Sequence, residues 1–359
     1  MPMKKIQLLI IAYVLIIIAN AEANASSKPS NAAKQDRHVV YGNYSGLALL
    51  MDVYYPKKPN GYGIVQISGS GFTRPLSLDA DLLTEWRHVK FHSEPLLDAG
   101  YTIFALNHRM TPRFKYPAQI ADVQRAVRFI RHNAKKYNIN PDKIGAIGES
   151  SGGYLASMLG LLNGYENKHD DNPINKLSAK VQCVVALCAP MNLLGETDVS
   201  FYLGFRKKEQ LIKGSIEHQI STEASPISHV SIDDPPMLMI HSKSDEKVDY
   251  SHSVEMHNKL KHKGVLTKLI EINRAELHFW QNKRRYRSGP SDEILGFDCG
   301  GQQLVLEVAF PTGTFNSPTG DDLKFAMELK EMLETSGIPA PAPIEQRWTC
   351  ASSSDLSPA

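Results

Sequence analysis

From residue 38 onward the chain alternates two hydrophobic rhythms: short apolar runs of strand length, and longer stretches in which apolar residues recur every three or four positions. Residues 38–41 and 47–55, separated by the turn-rich G-N-Y-S-G, predict an antiparallel pair. Residues 63–67 predict a short strand that runs into S-G-S-G-F. Residues 82–97 predict a helix stopping before Gly100, and Y-T-I-F-A-L a further strand. From Pro117, suited to a first helical turn, Ile120, Val123, Val127, Ile130 and Ala134 mark one apolar face, with Arg125, Arg128 and Arg131 between them.

The rhythm continues with N-I-N-P-D turning into the strand K-I-G-A-I-G, a helix over 154–162 and a strand over 181–189. A variable stretch, 190–236, precedes the strand M-L-M-I-H, a helix near 254–260 and the strand V-L-T-K-L-I-E-I. Residues 281–321 break the pattern as an insertion before an amphipathic helix over 323–333, which Gly337 and Pro339 stop. Such alternation predicts an α/β domain with a mainly parallel twisted sheet and helices on both faces. The expected organisation is a hydrolase-type domain over 38–337, with 190–236 as a cap-like region, and a Pro/Ala/Ser-rich tail over 338–359.

The N-terminus follows a different logic. Lys4 and Lys5 precede an apolar run from Ile6 to Ile18, and A-N-A-E-A-N-A then places small residues at alternate positions. The run is shorter than the roughly 20 residues needed to cross a bilayer. Residues 1–25 therefore read as a secretory signal cleaved after Ala21, Ala23 or Ala25, with residues 26–37 as a polar linker and no stable membrane insertion afterwards. The expected location is secreted or periplasmic. An oxidising compartment permits disulfides. Cys183 and Cys188 lie five apart in a strand-like run and point to opposite faces, so they cannot bridge each other, whereas Cys299 and Cys350 could pair. The net charge of +2 gives no bulk attraction to nucleic acid or to an anionic surface, so partners must be argued from a site.

Residues 147–153 read I-G-E-S-S-G-G, and only Ser150 has glycine two places before and two after. Three fixed positions are a weak signal alone, but this serine falls between a predicted strand and a predicted helix, where a nucleophile elbow requires it. A serine hydroxyl needs a base, and the base needs a carboxylate to orient it. The loop after M-L-M-I-H offers Asp245, Glu246 and Asp249; the loop after the next strand offers one imidazole, His278, among 13 histidines in the chain. The order Ser150, Asp245, His278 is the order such a sheet demands, and spacing alone separates Asp245 from Asp249 weakly. For the oxyanion, the backbone N–H of Ser151 supplies one donor and the Ser68–Phe72 loop is placed to supply another, because small residues let backbone approach a ligand.

With G-E-S-S-G-G stand Y-P-A-Q-I-A-D-V-Q-R-A-V-R-F-I-R-H-N-A, N-P-D-K-I-G, A-S-P-I-S-H-V and D-D-P-P-M-L-M-I-H-S-K-S-D. Together they resemble the α/β-hydrolase esterases and lipases, in particular the group related to hormone-sensitive lipase and the bacterial feruloyl- and acetylxylan-esterase-like (BD-FAE-like) domains. The resemblance spans roughly residues 39–280 and the last helix. It implies Ser150 as nucleophile, Asp245 as acid, His278 as base, and Ser70 and Gly71 as oxyanion donors beside Ser151. Three departures stand out: Ser70 replaces a glycine, H-S-K-S-D replaces H-G-x-x-D, and an insertion follows His278.

These readings converge on a serine carboxylesterase needing no cofactor and no metal, acting on small acyl esters or on acetyl or feruloyl esters of polysaccharide. Phe72 and Trp280 are the expected substrate-binding side chains; the basic F-W-Q-N-K-R-R-Y-R segment reads either as a rim for an acidic or aromatic ester or as a solvated surface loop. Two other functions compete. A prolyl-oligopeptidase-like peptidase resembles a two-domain design with a large propeller ahead of the hydrolase domain, and only a short linker precedes the first strand here. A non-catalytic binding protein on the same scaffold has the altered S-G-S-G loop as its support. Oligomeric state is left open by the sequence.

Overall fold

The structure, a computed structural model, describes residues 29–272 except 79, 165–168, 195–198 and 207–210, together with 313, 314, 317, 318 and 328. The chain divides into two compact units, Met1–Ser288 and Gly289–Ala359. In the second, Gly313–Thr314 and Ser317–Pro318 pair as a two-stranded antiparallel ladder. The predicted signal segment, Cys299, Cys350 and the tail from 338 lie outside the described residues, as does the helix over 323–333 apart from Glu328, which is helical.

The first unit is built on one eight-stranded sheet: β1 (Lys34–Tyr44), β2 (Leu47–Tyr55), β3 (Gly63–Ile67), β4 (Thr102–Leu106), β5 (Ile144–Glu149), β6 (Val184–Leu187), β7 (Met237–Ser242) and β8 (Thr267–Ile272). Their spatial order is β1-β2-β4-β3-β5-β6-β7-β8. β1 pairs antiparallel with β2 and β2 with β4, and every other neighbouring pair is parallel. β3 and β4 are buried at all five positions each, as expected of central strands covered on both faces.

Alternate residues of those strands feed two apolar cores. Val65, Ile67, Phe104 and Leu106 pack with α2 (Ala118–His132) and α3 (Ser151–Leu161); Ile64, Ile103 and Ala105 pack with Val89, Leu96 and Leu97 of α1 (Arg87–Asp98). The predicted face of α2 is the buried one, with Ile120, Val123, Ala126, Val127 and Ile130 turned inward. Two of its arginines reach loop carbonyls: Arg128 donates to Leu177 O at 2.9 Å and Arg131 to Lys180 O at 2.8 Å. All eleven residues of α3 are buried, so the helix after Ser150 is fixed on every side. Beyond these, α4 (Ser200–Leu203) and α5 (Ile216–Glu223) lie within the variable stretch, and α6 (Ser251–His262) joins β7 to β8. Among the described residues no helix is long and apolar enough to cross a membrane.

Two expectations are corrected. The linker read over 26–37 ends in strand, because β1 starts at Lys34, where Tyr55 is its ladder partner and Arg37 reaches buried Asp52 at 3.3 Å. The helix read over 82–97 is two pieces, a 3₁₀ turn at Leu83–Glu85 and then α1. Trp86 between them is extended, at φ −77° and ψ 145°, and Glu85 is drawn away by Arg37 Nη2 at 2.9 Å.

Candidate active site

β5 ends at Glu149 and α3 begins at Ser151, leaving Ser150 alone at a sharp turn with φ 49° and ψ −124°. A non-glycine residue there stores on the order of 1–3 kcal/mol and persists only when its surroundings hold it. Here Ser150 N–H donates to Leu187 O at 2.8 Å and Tyr154 N–H to Ser150 O at 3.0 Å, tying the turn to β6 and to its own helix. The motif glycines are steric requirements. A Cβ on Gly148 would lie 2.4 Å from the Gly152 carbonyl, and one on Gly152 would lie 2.1 Å from Ile67 O.

The S-G-S-G-F loop lies against this turn. A Cβ on Gly69 would sit 2.5 Å from Glu149 O and 3.0 Å from Ser150 Cβ, so the loop's backbone touches the Ser150 turn directly. Gly71 has φ +62° with open space where a side chain would go, and its N–H makes no hydrogen bond among the described residues. Ser70 departs from the expected donor role. Its N–H donates to Ser151 Oγ at 2.9 Å, and its own hydroxyl is turned to Met110 Sδ at 3.0 Å. The side chain that replaces a glycine hydrogen thus anchors the loop on Met110, while Ser151 Oγ engages the Ser70 amide. Phe72, expected to meet substrate, is 5% exposed and belongs to the core: its ring stacks on Tyr202 at 4.2 Å and meets Tyr154 edge-on at 5.2 Å.

Asp245 lies in the loop after β7, where its Oδ1 accepts the N–H groups of Lys247 at 2.9 Å and Val248 at 3.0 Å. Its Oδ2 is 3.6 Å from His241 Nε2. The Cys188 thiol joins them, and these three groups each bring one atom within 4.8 Å of the others. Both nitrogens of His241 are already engaged, Nε2 with Val248 O at 2.9 Å and Nδ1 with Ser253 Oγ at 2.8 Å, so the trio is a hydrogen-bonded support more than an open ligand set. Burial, with the Asp245 carboxylate adding to it, pushes the Cys188 thiol up to about 12. Asp249, the other candidate acid, is an exposed cap at the start of α6 whose Oδ1 accepts Ser251 N–H at 2.8 Å. His278 and Trp280 lie outside the described residues.

Sequence reasoning missed the placement of four side chains, Glu149, His88, His92 and Cys188. Glu149, one residue before Ser150, meets His88 Nδ1 and lies 3.4 Å from His92 Nε2. The four-residue spacing of the two histidines was visible, but nothing in the sequence aimed that helix face at β5. Cys188 was read as a small core hydrophobe; its left-handed φ of 45° is what carries it off the end of β6 toward Asp245.

Comparison with known proteins separates the chain into two relationships. Over 91 residues it is 57% identical to the mitochondrial L-galactono-1,4-lactone dehydrogenase of Arabidopsis thaliana, a stretch covering 25% of this chain and 15% of that protein. Over 206 residues it is 26% identical to an acetylxylan esterase of Xylanibacter ruminicola, covering 55% of this chain and 36% of that protein. The chain thus spans only a minor part of either relative. Among solved structures it is similar to a truncated carbohydrate esterase from gut microbiota, with a TM-score of 0.54 and 26% identity over 69% of this chain and 90% of that one. The sheet order, the strained serine turn and the glycine loop against it agree with the match of residues 51–260 to the BD-FAE family, to which this chain therefore belongs, its first unit having the α/β-hydrolase fold.

Proposed function

We propose that the protein is a serine carboxylesterase working through an acyl-enzyme. Ser150 Oγ attacks the ester carbonyl as His278 takes its proton; Asp245 orients the imidazole, which then protonates the departing alcohol. Water, activated by the same base, releases the acid and restores Ser150. The single observation that carries this reading is the strained Ser150 turn pressed against the Ser68–Phe72 loop, with Asp245 in the loop after β7. The acid's place is supported by its neighbours; the base's rests on chain order alone. The similarity to an acetylxylan esterase supports acetylated polysaccharide as the substrate class. The Lys4–Ala25 pattern supports export.

A second reading of the substrate follows from the dehydrogenase-like stretch. A 1,4-lactone is an internal ester of a sugar acid, open to the same serine chemistry, so aldono-1,4-lactones join acetylated xylan as candidates. The test is hydrolysis of p-nitrophenyl acetate, acetylated xylan and an aldono-1,4-lactone by wild type, Ser150→Ala and His278→Ala. Loss of turnover in both variants is the expected result. Activity that survives Ser150→Ala overturns the serine reading, and activity that survives only His278→Ala moves the base elsewhere.

A further inference from the structure

The residue after the nucleophile is expected to contribute only its backbone N–H. We propose that Ser151 also contributes its side chain: its hydroxyl, polarised by the Ser70 amide, is a donor to the oxyanion in place of the Ser70 N–H. The inference deepens the esterase reading and rests on it.

Four observations carry it. Ser70 N–H donates to Ser151 Oγ at 2.9 Å, so this amide is occupied. Met110 Sδ, itself 8% exposed within the same wall, receives the Ser70 hydroxyl at 3.0 Å and holds the loop in that orientation. The Ser151 hydroxyl has one proton to donate, and no acceptor for it occurs among the described residues. Ser151 is 3% exposed, so bulk water is nearly excluded as the missing partner.

A buried hydroxyl that accepts from an amide and has no acceptor among the described residues is preorganised for an acceptor that forms only during reaction. That proton can leave Oγ only along directions away from the Ser70 amide. The Ser151 N–H, at the first position of α3, has no intrahelical acceptor either, so one residue offers two donors beside Ser150. Gly71, with its unengaged N–H, completes the set from the opposite loop. Alanine at 151 would remove the hydroxyl and release the Ser70 amide; the expectation is a loss, because Met110 keeps that amide aimed at position 151.

The experiment compares wild type, Ser150→Ala, Ser151→Ala and Ser151→Cys on p-nitrophenyl acetate, with folding checked by circular dichroism. Ser151→Ala should lower kcat about 100-fold with KM within about threefold, the pattern of a contact made in the transition state. Ser151→Cys keeps a side chain of similar size but is a weak donor, so it should lose comparably; recovery there would mean that position 151 merely fills space, overturning the proposal. Unchanged or raised kcat in Ser151→Ala, with Ser150→Ala dead, overturns it too while leaving the esterase reading intact. Wild type without ester turnover removes the esterase reading, and the inference with it.

Discussion

His88 Nδ1 contacts the Glu149 carboxylate one residue ahead of the candidate nucleophile, and the same carboxylate lies 3.4 Å from His92 Nε2. A Cβ on Gly69 would come within 3.0 Å of Glu149 Cγ, so the side chain that α1 grips is also the surface on which the S-G-S-G loop rests. The two imidazoles thus steady the S-G-S-G loop through Glu149 as intermediary. Glu149→Ala is expected to lower kcat by about 10- to 100-fold, the scale of a small misplacement of reacting groups, and to leave KM nearly unchanged. Steady-state kinetics on a small ester measures this. A rise in KM alone would instead make Glu149 part of the substrate's binding surface.

Acid should unfold the protein through its buried imidazoles. Burial pushes His92 down to about 4, against an opposing pull from Glu149, and moves His108 and His241 in the same direction. Below the ordinary histidine value of about 6.5 the unfolded chain takes up protons that the folded chain refuses. Stability present above that value is therefore lost as pH falls toward 4, and His92 accounts for at most about 3 kcal/mol of the loss. Urea titrations across this range should show a steep fall in midpoint that His92→Gln makes shallower. An identical slope in the variant would place the acid sensitivity in other groups.

The serine turn and the Asp245 loop were legible because their signals are local. Gly148, Ser150 and Gly152 are spaced by what one turn can hold, and Asp245 follows a strand readable from five residues. Partners distant in the chain were not legible. Ser70 and Ser151 are 81 positions apart, and nothing short of the folded sheet shows that the Ser70 amide donates to the Ser151 hydroxyl. Likewise β4 is inserted between β2 and β3, an order fixed by pairing and not by any strand's own residues. Phe72 was not legible for a conformational reason: it follows the S-G-S-G turn, and its φ of 62° goes with a ring turned inward onto Tyr154 and Tyr202.

The acid can be separated from its neighbour by two substitutions. In Asp245→Asn the amide oxygen can still accept the Lys247 and Val248 N–H groups, so the loop keeps its shape while the carboxylate's charge is removed. A triad that loses this charge falls by about 10⁴ in kcat. Asp249→Asn alters only the exposed cap on Ser251 N–H, and its kcat should stay within about threefold of wild type. The reverse outcome in the same assay would transfer the acid's role to Asp249.

Backbone packing at the elbow should matter more to turnover than to folding. A methyl at position 152 would start 2.1 Å from Ile67 O, the last residue of β3, and the strain can be relieved only by moving α3 or the strand end that leads into Ser68 and Gly69. Overpacking of this kind costs about 1–3 kcal/mol. The displacement, however, falls on the loop that faces Ser150, so Gly152→Ala should lose activity well beyond its loss of stability. Gly46→Ala is the control. Gly46 has φ +82° with nothing within 4 Å of a new Cβ, far along the chain from the elbow, so alanine there costs about 1–2 kcal/mol of left-handed strain. Thermal unfolding and kinetics measured together decide the matter: similar stability losses with activity lost only in Gly152→Ala would tie catalysis to that contact, whereas parallel losses would make the glycine a folding requirement alone.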